Sequence, residues 1–171
     1  HDGVYPDSYC HAVPIFDDAD RLSHFQGFNL DITERKAAEA LRQRLQLAID
    51  QSSETVVITD TAANIEYANP AFERITGYSR AEVLGKNPRI LKSGWQDDAF
   101  YEQLWQTLLA GQTWQGELIN RRKDGELYTE AASITPVLSP QGDITHYLAV
   151  MRDITERKAA EAAITQAKAE A

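Results

Sequence analysis

The sequence predicts an α+β domain in which a sheet carries its helices on one face, with linker helices flanking it. The first observation behind this prediction is the order of elements after about residue 50: two short strands, three helices and three long strands. Helices gathered on one face of a sheet leave a cleft between the two layers. We expect a ligand to bind in that cleft.

The second observation is an internal repeat. Residues 31–40 and 153–162 both read DITERKAAEA, and the two copies start 122 residues apart. The same offset aligns Asp2-Gly3 with Asp124-Gly125, as expected for domains in series. We therefore expect that the chain begins inside one domain and that the parent protein carries at least two. The predicted organisation is the closing hairpin of an upstream domain at 1–30, a linker helix at 31–50, a complete domain at 51–153 and an exit signalling helix at 154–171.

The composition narrows the class of partner. The net charge of −9 argues against nucleic acid or an anionic membrane surface as a partner. No apolar run approaches the ~20 residues of a membrane span, so we expect no membrane contact by this segment. The single Cys10 excludes an intrachain disulfide and fits a reducing compartment, which favours a cytoplasmic location.

The first elements are a hairpin and a helix. A turn at residues 1–3, an apolar stretch to Phe16, an acidic loop at 17–20 and a second apolar stretch from Leu22 predict two strands. Each repeat then starts a helix, because Asp31 with Glu34, and Asp153 with Glu156, have capping-box spacing. The linker helix carries one apolar seam that either packs on its own domain or forms a short parallel coiled coil between protomers; its members are Ala38, Leu41, Leu45 and Ala48.

The complete copy follows. A strand at 55–59 and another at 65–68 form a hairpin, and Asn69-Pro70 starts a helix that Gly77 stops. Ser79 caps a second helix with Glu82 three residues on. Residues 86–94 are predicted to be irregular, and Asp97 or Asp98 opens a longer helix. The closing strands are predicted at 114–121, 126–138 and 144–152.

Together these residues resemble the PAS family. The matching marks are YANPAFERITGY at 67–78, Gly85-Lys86-Asn87, Arg122-Lys123-Asp124-Gly125 and the closing Asp153-Ile154-Thr155. The resemblance implies a five-stranded antiparallel sheet with flanking helices. It also implies a sensory or dimerisation module, without catalysis of its own, in a signalling protein such as a histidine kinase or a cyclic-di-GMP enzyme.

Within that family, the stretch from Gly85 to Gly125 is similar to the FAD-binding redox sensors of nitrogen-fixation and methane-oxidation regulators. By that similarity Asn120 would hydrogen-bond the isoalloxazine edge and Trp105 would pack beside the ring. A buried amide, which both donates and accepts, suits an edge with alternating polar groups, and an aromatic wall excludes water. The cofactor-binding residues expected from the similarity are Asn120, Trp105, Trp114, Asn87, Ile90 and Tyr128.

Two other cofactors are disfavoured. LOV photoreceptors place a Cys in a GxNC motif, where this chain has Pro88, so a covalent flavin–thiol photocycle is not expected. Haem needs an axial ligand, usually a His before the third strand, and no His lies between residues 70 and 113. We also find no metal-ligand spacing and no catalytic set of residues.

The sequence leaves several alternatives open. Leu118 and Asn120 share one face of their strand and Ile119 takes the other, so the apolar pattern does not decide which face is buried. The basic run at 121–123 is either a solvated turn or a contact for cofactor phosphates. The function is either FAD-based redox or oxygen sensing, or cofactor-free relay and homodimerisation through the helices at 31–50 and 154–171.

Overall fold

The computed structural model describes residues 8–169, with the side chain of Asn29 excepted. The predicted turn at residues 1–3 and the last two residues of the exit helix lie outside this range. The chain forms two compact units, one up to Ala48 and one from Ile49 onward.

The first unit is a hairpin followed by a helix. Strands β1 (Ser8–Phe16) and β2 (Leu22–Asp31) pair antiparallel, and helix α1 (Thr33–Asp50) follows. Asp17 shapes the loop because its Oδ1 accepts hydrogen bonds from the amides of Ala19 (2.9 Å) and Arg21 (3.0 Å). The predicted hairpin and helix are both present, and β1 and β2 form a two-stranded sheet within the described residues.

The second unit is the predicted α+β domain. Its five strands form one antiparallel sheet in the order β4-β3-β7-β6-β5, which confirms the sheet implied by the resemblance. The helices follow the predicted order. The elements are β3 (Thr55–Asp60), β4 (Ile65–Ala68), α2 (Pro70–Thr76), α3 (Arg80–Val83), α4 (Asp98–Leu109), β5 (Trp114–Arg121), β6 (Leu127–Leu138), β7 (Ile144–Asp153) and α5 (Thr155–Ala169).

Two local predictions differ from the structure. The irregular stretch contains a short 3₁₀ helix, Pro88–Leu91, because Asn87 Oδ1 accepts the Arg89 amide at 3.0 Å and Pro88 fixes the first turn. The capping boxes predicted for Asp31 with Glu34 and for Asp153 with Glu156 are wrong, because β2 and β7 extend through these aspartates and α1 and α5 start two residues later. Asp153 Oδ1 instead accepts the Thr155 amide at 2.9 Å.

Strand alternation selects the face that the helices cover. Val57, Tyr147 and Met151 project to this face from β3 and β7, and all three are buried. Ala132 on β6 is opposite Met151, and Leu118 of β5 lies on the same face. These side chains pack with Phe72 of α2 and Leu104 and Leu108 of α4 in two apolar clusters.

Asn69 joins three segments of the second unit through one fully buried amide. Its Oδ1 accepts the amides of Val56 (3.0 Å) and Phe72 (3.2 Å), so it bonds β3 and caps α2. Its Nδ2 donates to the carbonyls of Ile49 (3.1 Å) and Glu54 (2.9 Å), which hold the chain entering the domain.

We expect Asn69→Ala to lower the free energy of unfolding by about 3–5 kcal/mol, because the Val56 amide and two carbonyls lose a partner and α2 loses its side-chain cap. Asn69→Asp should also destabilise, since a carboxylate cannot donate to the two carbonyls. Urea unfolding followed by circular dichroism measures both changes. Gln141→Glu, in the exposed β6–β7 loop, is the control; equal stability of Asn69→Ala and this control would contradict the role given to Asn69.

Candidate functional site

A cavity of about 670 Å³ lies between the inward face of the sheet and the segment from Asn87 to Leu109. Its size is within the usual range of small-molecule sites, about 300–1,000 Å³. Most of its wall is apolar. The sheet contributes Val57, Thr59, Leu118, Asn120, Glu130, Ile134, Tyr147, Ala149 and Met151, and Leu91, Tyr101, Leu104, Trp105 and Leu108 stand opposite.

Asn120 is on the inward face of β5, which the sequence pattern could not decide. It is 6% exposed and lines the cavity. Its backbone is fixed on both sides, by the ladder partner Tyr128 on β6 and by an isolated bridge to Lys92. Its Nδ2 donates to Glu130 Oε1 at 2.7 Å. The amide is therefore held in one position at the cavity wall.

Glu130 is a candidate site residue that the sequence reasoning missed. It is 2% exposed and lines the cavity beside Asn120. Burial raises the pKa of Glu130 to about 7, although the hydrogen bond from Asn120 opposes the shift. Alternation along β6 could have revealed it, because Tyr128, Glu130 and Ala132 share one face.

Tyr128 is buried next to this pair. It does not line the cavity directly, but its hydroxyl is enclosed and makes no hydrogen bond of normal geometry to any described residue. Burial, reinforced by the nearby Glu130 carboxyl group, raises the pKa of Tyr128 well above its usual range. Tyr128 thus remains a neutral phenol and closes the wall behind Asn120 and Glu130.

Three of the other residues that the sequence similarity suggested are Trp105, Trp114 and Ile90. Trp105 lines the cavity, is 36% exposed, and meets the Tyr147 ring edge-on at 5.4 Å between centroids. Trp114 is half-buried and packs edge-on against Phe100 at 5.7 Å, so it supports α4 rather than lining the cavity. Ile90 also packs against the core outside the lining.

The rim of the cavity carries charge of both signs. Asn87 lines the cavity where its side chain caps the 3₁₀ helix. Arg89 and Lys92 follow on the same segment, and the Lys92 ammonium lies 3.6 Å from the centroid of the Tyr101 ring. Two carboxylates of α4, Asp98 and Glu102, also line the cavity.

None of the three residues of the basic run at 121–123 lines the cavity, and Arg121 and Lys123 are exposed. Arg121 donates to the carbonyls of Gly125 (3.2 Å) and Ser93 (3.3 Å). Lys123 Nζ lies 2.5 Å from Glu82 Oε1 of the α3 capping box. These cations connect the β5–β6 turn to the helices around the cavity.

Arg122 is the third cation of the run, and it connects the cavity wall to α5. Its guanidinium lies 4.4 Å from the centroid of the Tyr128 ring and donates to Asp153 Oδ2 at 2.7 Å. Asp153 also accepts the Thr155 hydroxyl at 2.6 Å. Burial opposes ionisation of Asp153, but the hydrogen bonds from Thr155 and Arg122 outweigh it and lower the pKa of this carboxyl.

Neither a metal site nor a membrane span is found in the described part of the chain. Among residues 8–169, no group of three or more His, Cys, Asp or Glu side chains could hold a metal ion. No helix in the same range is both long and apolar enough to cross a membrane.

Comparison with known proteins places this geometry in a family. Residues 43–154, well over half of the chain, match the model of the PAS fold. A nitrogen fixation regulatory protein of Klebsiella oxytoca is 53% identical over 107 residues, which is 63% of this chain and 22% of that protein. The chain therefore spans about a fifth of the length of this relative.

The chain also resembles solved structures. An RNA-binding light-oxygen-voltage receptor aligns with a TM-score of 0.69 and 29% identity, covering 96% of this chain and 44% of the receptor. A light-oxygen-voltage domain studied with a flavin analogue aligns with a TM-score of 0.59 and 30% identity, covering 77% of this chain and 96% of that domain. With its sheet, its helices and this match, the chain belongs to the PAS family.

Proposed function

We propose that the cavity binds FAD and that the domain senses the redox state of its surroundings, or oxygen, through this cofactor. The observation that carries the proposal is the buried Asn120–Glu130 hydrogen bond on the wall of a largely apolar cavity. A buried amide and a buried acid are costly unless polar groups complement them. The edge of an isoalloxazine ring presents such groups next to an apolar ring system.

Different residues of the cavity wall suit the ring, the polar edge and the diphosphate of FAD. Apolar side chains and the Trp105–Tyr147 pair suit a flat aromatic ring. Asn120 offers both a donor and an acceptor to its polar edge. Arg89 and Lys92 at the rim offer cations to a diphosphate, and their contact must outweigh the repulsion from Asp98 and Glu102.

Two comparisons support a flavin. The mechanism of the light-oxygen-voltage domain of similar fold was studied with a flavin analogue. The Klebsiella relative is named for regulation of nitrogen fixation, and the stretch from Gly85 to Gly125 resembles the FAD-binding sensors of such regulators. Pro88 lines the cavity and offers no thiol, so the proposed sensing uses no cysteine adduct. As a further proposal, the parent protein is a histidine kinase or a cyclic-di-GMP enzyme that this domain controls.

A change in the state of the bound cofactor would be transmitted to α5 through neighbouring residues of β6. A bound flavin supplies a reversible change in redox and protonation state. On this chain's side, Asn120 and Glu130 adjust their shared hydrogen bond and the charge of the Glu130 carboxyl group. Glu130 pairs with Asp153 across the sheet, and the adjacent Thr129 donates its amide to Thr155 Oγ1 at 2.9 Å. A negative charge on Glu130 would repel Asp153, which holds the first turn of α5.

A second candidate function is homodimerisation and relay through the linker helices. No residue of α1 is buried. Leu41 and Leu45, which belong to the predicted seam, are 54% and 55% exposed, and Ile164 of α5 is 57% exposed. Apolar residues at this spacing favour a parallel pair of helices from two copies. The two functions are compatible, because a dimer could transmit the state of the cavity.

We expect the purified chain to bind FAD with the absorbance of a protein-bound flavin. Asn120→Ala should weaken FAD binding at least about tenfold, because the flavin edge loses its partner. Titration followed by flavin fluorescence measures the affinity. Asn64→Ala is the matched control, since its amide bonds Asp60 at the β3–β4 turn and is absent from the cavity wall. Absence of FAD binding by the wild-type chain would overturn the flavin proposal.

Glu130 should make the stability of the domain depend on pH. Its pKa is raised from 4.5 to about 7 in the folded state, so the folded state binds more protons than the unfolded state between these values. The free energy of unfolding should therefore fall as pH rises from 4.5 to about 7, by about 3 kcal/mol, and change no further above that.

Glu130→Gln should remove this contribution, because the amide does not ionise. The measurement is urea unfolding of both proteins from pH 4.5 to 8, and the difference between them isolates Glu130 from other titrating groups. Parallel pH profiles for the two proteins would show that Glu130 is ionised throughout or is not buried.

The dimer makes a separate prediction. Replacing both Leu41 and Leu45 by Glu should raise the dissociation constant of the dimer at least about tenfold, because two seam positions become charged. Sedimentation equilibrium measures it, and Arg44→Glu, off the seam, is the control. A wild-type chain that stays monomeric at high concentration would remove this second function.

A further inference from the structure

The hairpin of the first unit repeats the β6–β7 hairpin of the second unit residue by residue. With the offset of 122 residues, Ser8 opposite Asp31 corresponds to Glu130 opposite Asp153. The same correspondence holds along both ladders, and the register irregularity falls between Ile15 and Phe16 in one and between Val137 and Leu138 in the other. The repeated decapeptide alone does not account for this agreement, because it covers only the end of the hairpin and the helix that follows.

The loops agree in their hydrogen bonds, although their sequences differ. Asp17 donates its amide to the Arg21 carbonyl at 2.8 Å, and Ser139 donates to Asp143 at 2.8 Å. The side chains of Asp17 and Ser139 each accept the amides two and four residues on. The residue three positions on has positive φ in both loops, at Asp20 (59°) and Gly142 (91°).

The helix starts agree as well. Asp31 Oδ1 accepts the Thr33 amide at 2.9 Å, as Asp153 Oδ1 accepts that of Thr155. The hairpin and the first turn after it are therefore the same structure in both units.

The two copies differ in what covers them. Tyr147 is 4% exposed, whereas its counterpart Phe25 is 63% exposed. Ala132 is 5% exposed in the core, and its counterpart Cys10 is exposed. Strand β6 bonds β5 and strand β7 bonds β3 on their outer edges, but β1 and β2 bond only each other within the described residues. Exposed apolar strands with two open edges are an aggregation hazard unless they are covered.

We infer that β1 and β2 are the closing hairpin of a second PAS domain, and that their inward face and outer edges dock the rest of that domain. The occupant is an upstream segment of the parent protein, equivalent to residues 51–127, which supplies counterparts of β3, β4, α2–α4 and β5. The residue-level agreement favours this occupant over a second copy or a foreign partner, since the covered hairpin in this chain is covered by those elements. The inference does not depend on flavin binding.

The two domains would differ at the cavity. Ser8 occupies the position of Glu130, so the upstream domain has no acid at this position. The upstream domain would then lack the charge change that we propose for Glu130, and the two domains would have different tasks.

Cys10 provides the test, because it is the only cysteine of the chain. In the parent protein that includes the upstream segment, Cys10 should react with the thiol reagent DTNB at least about tenfold more slowly than in this chain, because it enters a core. Urea should restore the fast reaction. Two variants in the Cys10→Ser background give reference reaction rates. Ala132→Cys gives the rate of a buried thiol, and Gln141→Cys gives the rate of an exposed one.

Equal Cys10 reaction rates in the parent protein and in this chain would overturn the inference. Protection of Cys10 in this chain alone, growing with protein concentration, would also overturn it, because a second copy would then be the occupant. Amide hydrogen exchange of β1 and β2 gives an independent reading, with slower exchange in the parent protein expected and equal exchange contradicting the proposal.

Discussion

The hydrogen bond between Asn120 and Glu130 constrains the rest of the domain, because it places an amide and a carboxyl group inside an apolar cavity. Neither group can be hydrated as in water, so each depends on the other and on the cavity contents. Burial raises the pKa of Glu130 to about 7 against the opposing hydrogen bond from Asn120, whereas hydrogen bonds from Thr155 and Arg122 lower the pKa of Asp153, opposite it in the sheet. The two acids therefore differ in charge near neutral pH, although they are opposite each other in the sheet.

The same strand that carries Glu130 also holds the start of the exit helix. Thr129 contacts Ile154 and Thr155 through its carbonyl and amide, and Arg122 joins Asp153 to the carbonyl of Ile75 on α2. A change on the cavity wall is thus one residue away from the helix start. No long path through the core separates the cavity wall from the start of α5.

The two units show how much a hairpin depends on its surroundings. The ladders, loops and helix starts agree between β1–β2 and β6–β7, so register and loop geometry follow the repeated sequence pattern. Burial does not agree, as Phe25 and Tyr147 show. The hairpin conformation comes from turn chemistry and strand propensity, whereas the core requires elements that are distant in the sequence.

Local sequence signals were enough to define the elements and their order, because capping residues, glycines and alternation act over a few residues: Asn69-Pro70, Gly77 and Ser79 each mark the boundary that the structure has. The sequence also indicated the family, and it singled out Asn120 as a candidate site residue. The tertiary arrangement was needed to show that Asn120 faces the cavity, since both faces of β5 carry apolar residues, and that Trp114 and Ile90 support the wall from outside. The tertiary structure also determines the pKa of Glu130, because β5 brings Asn120 beside it and the helices exclude water. The pKa of a carboxyl group depends on its surroundings.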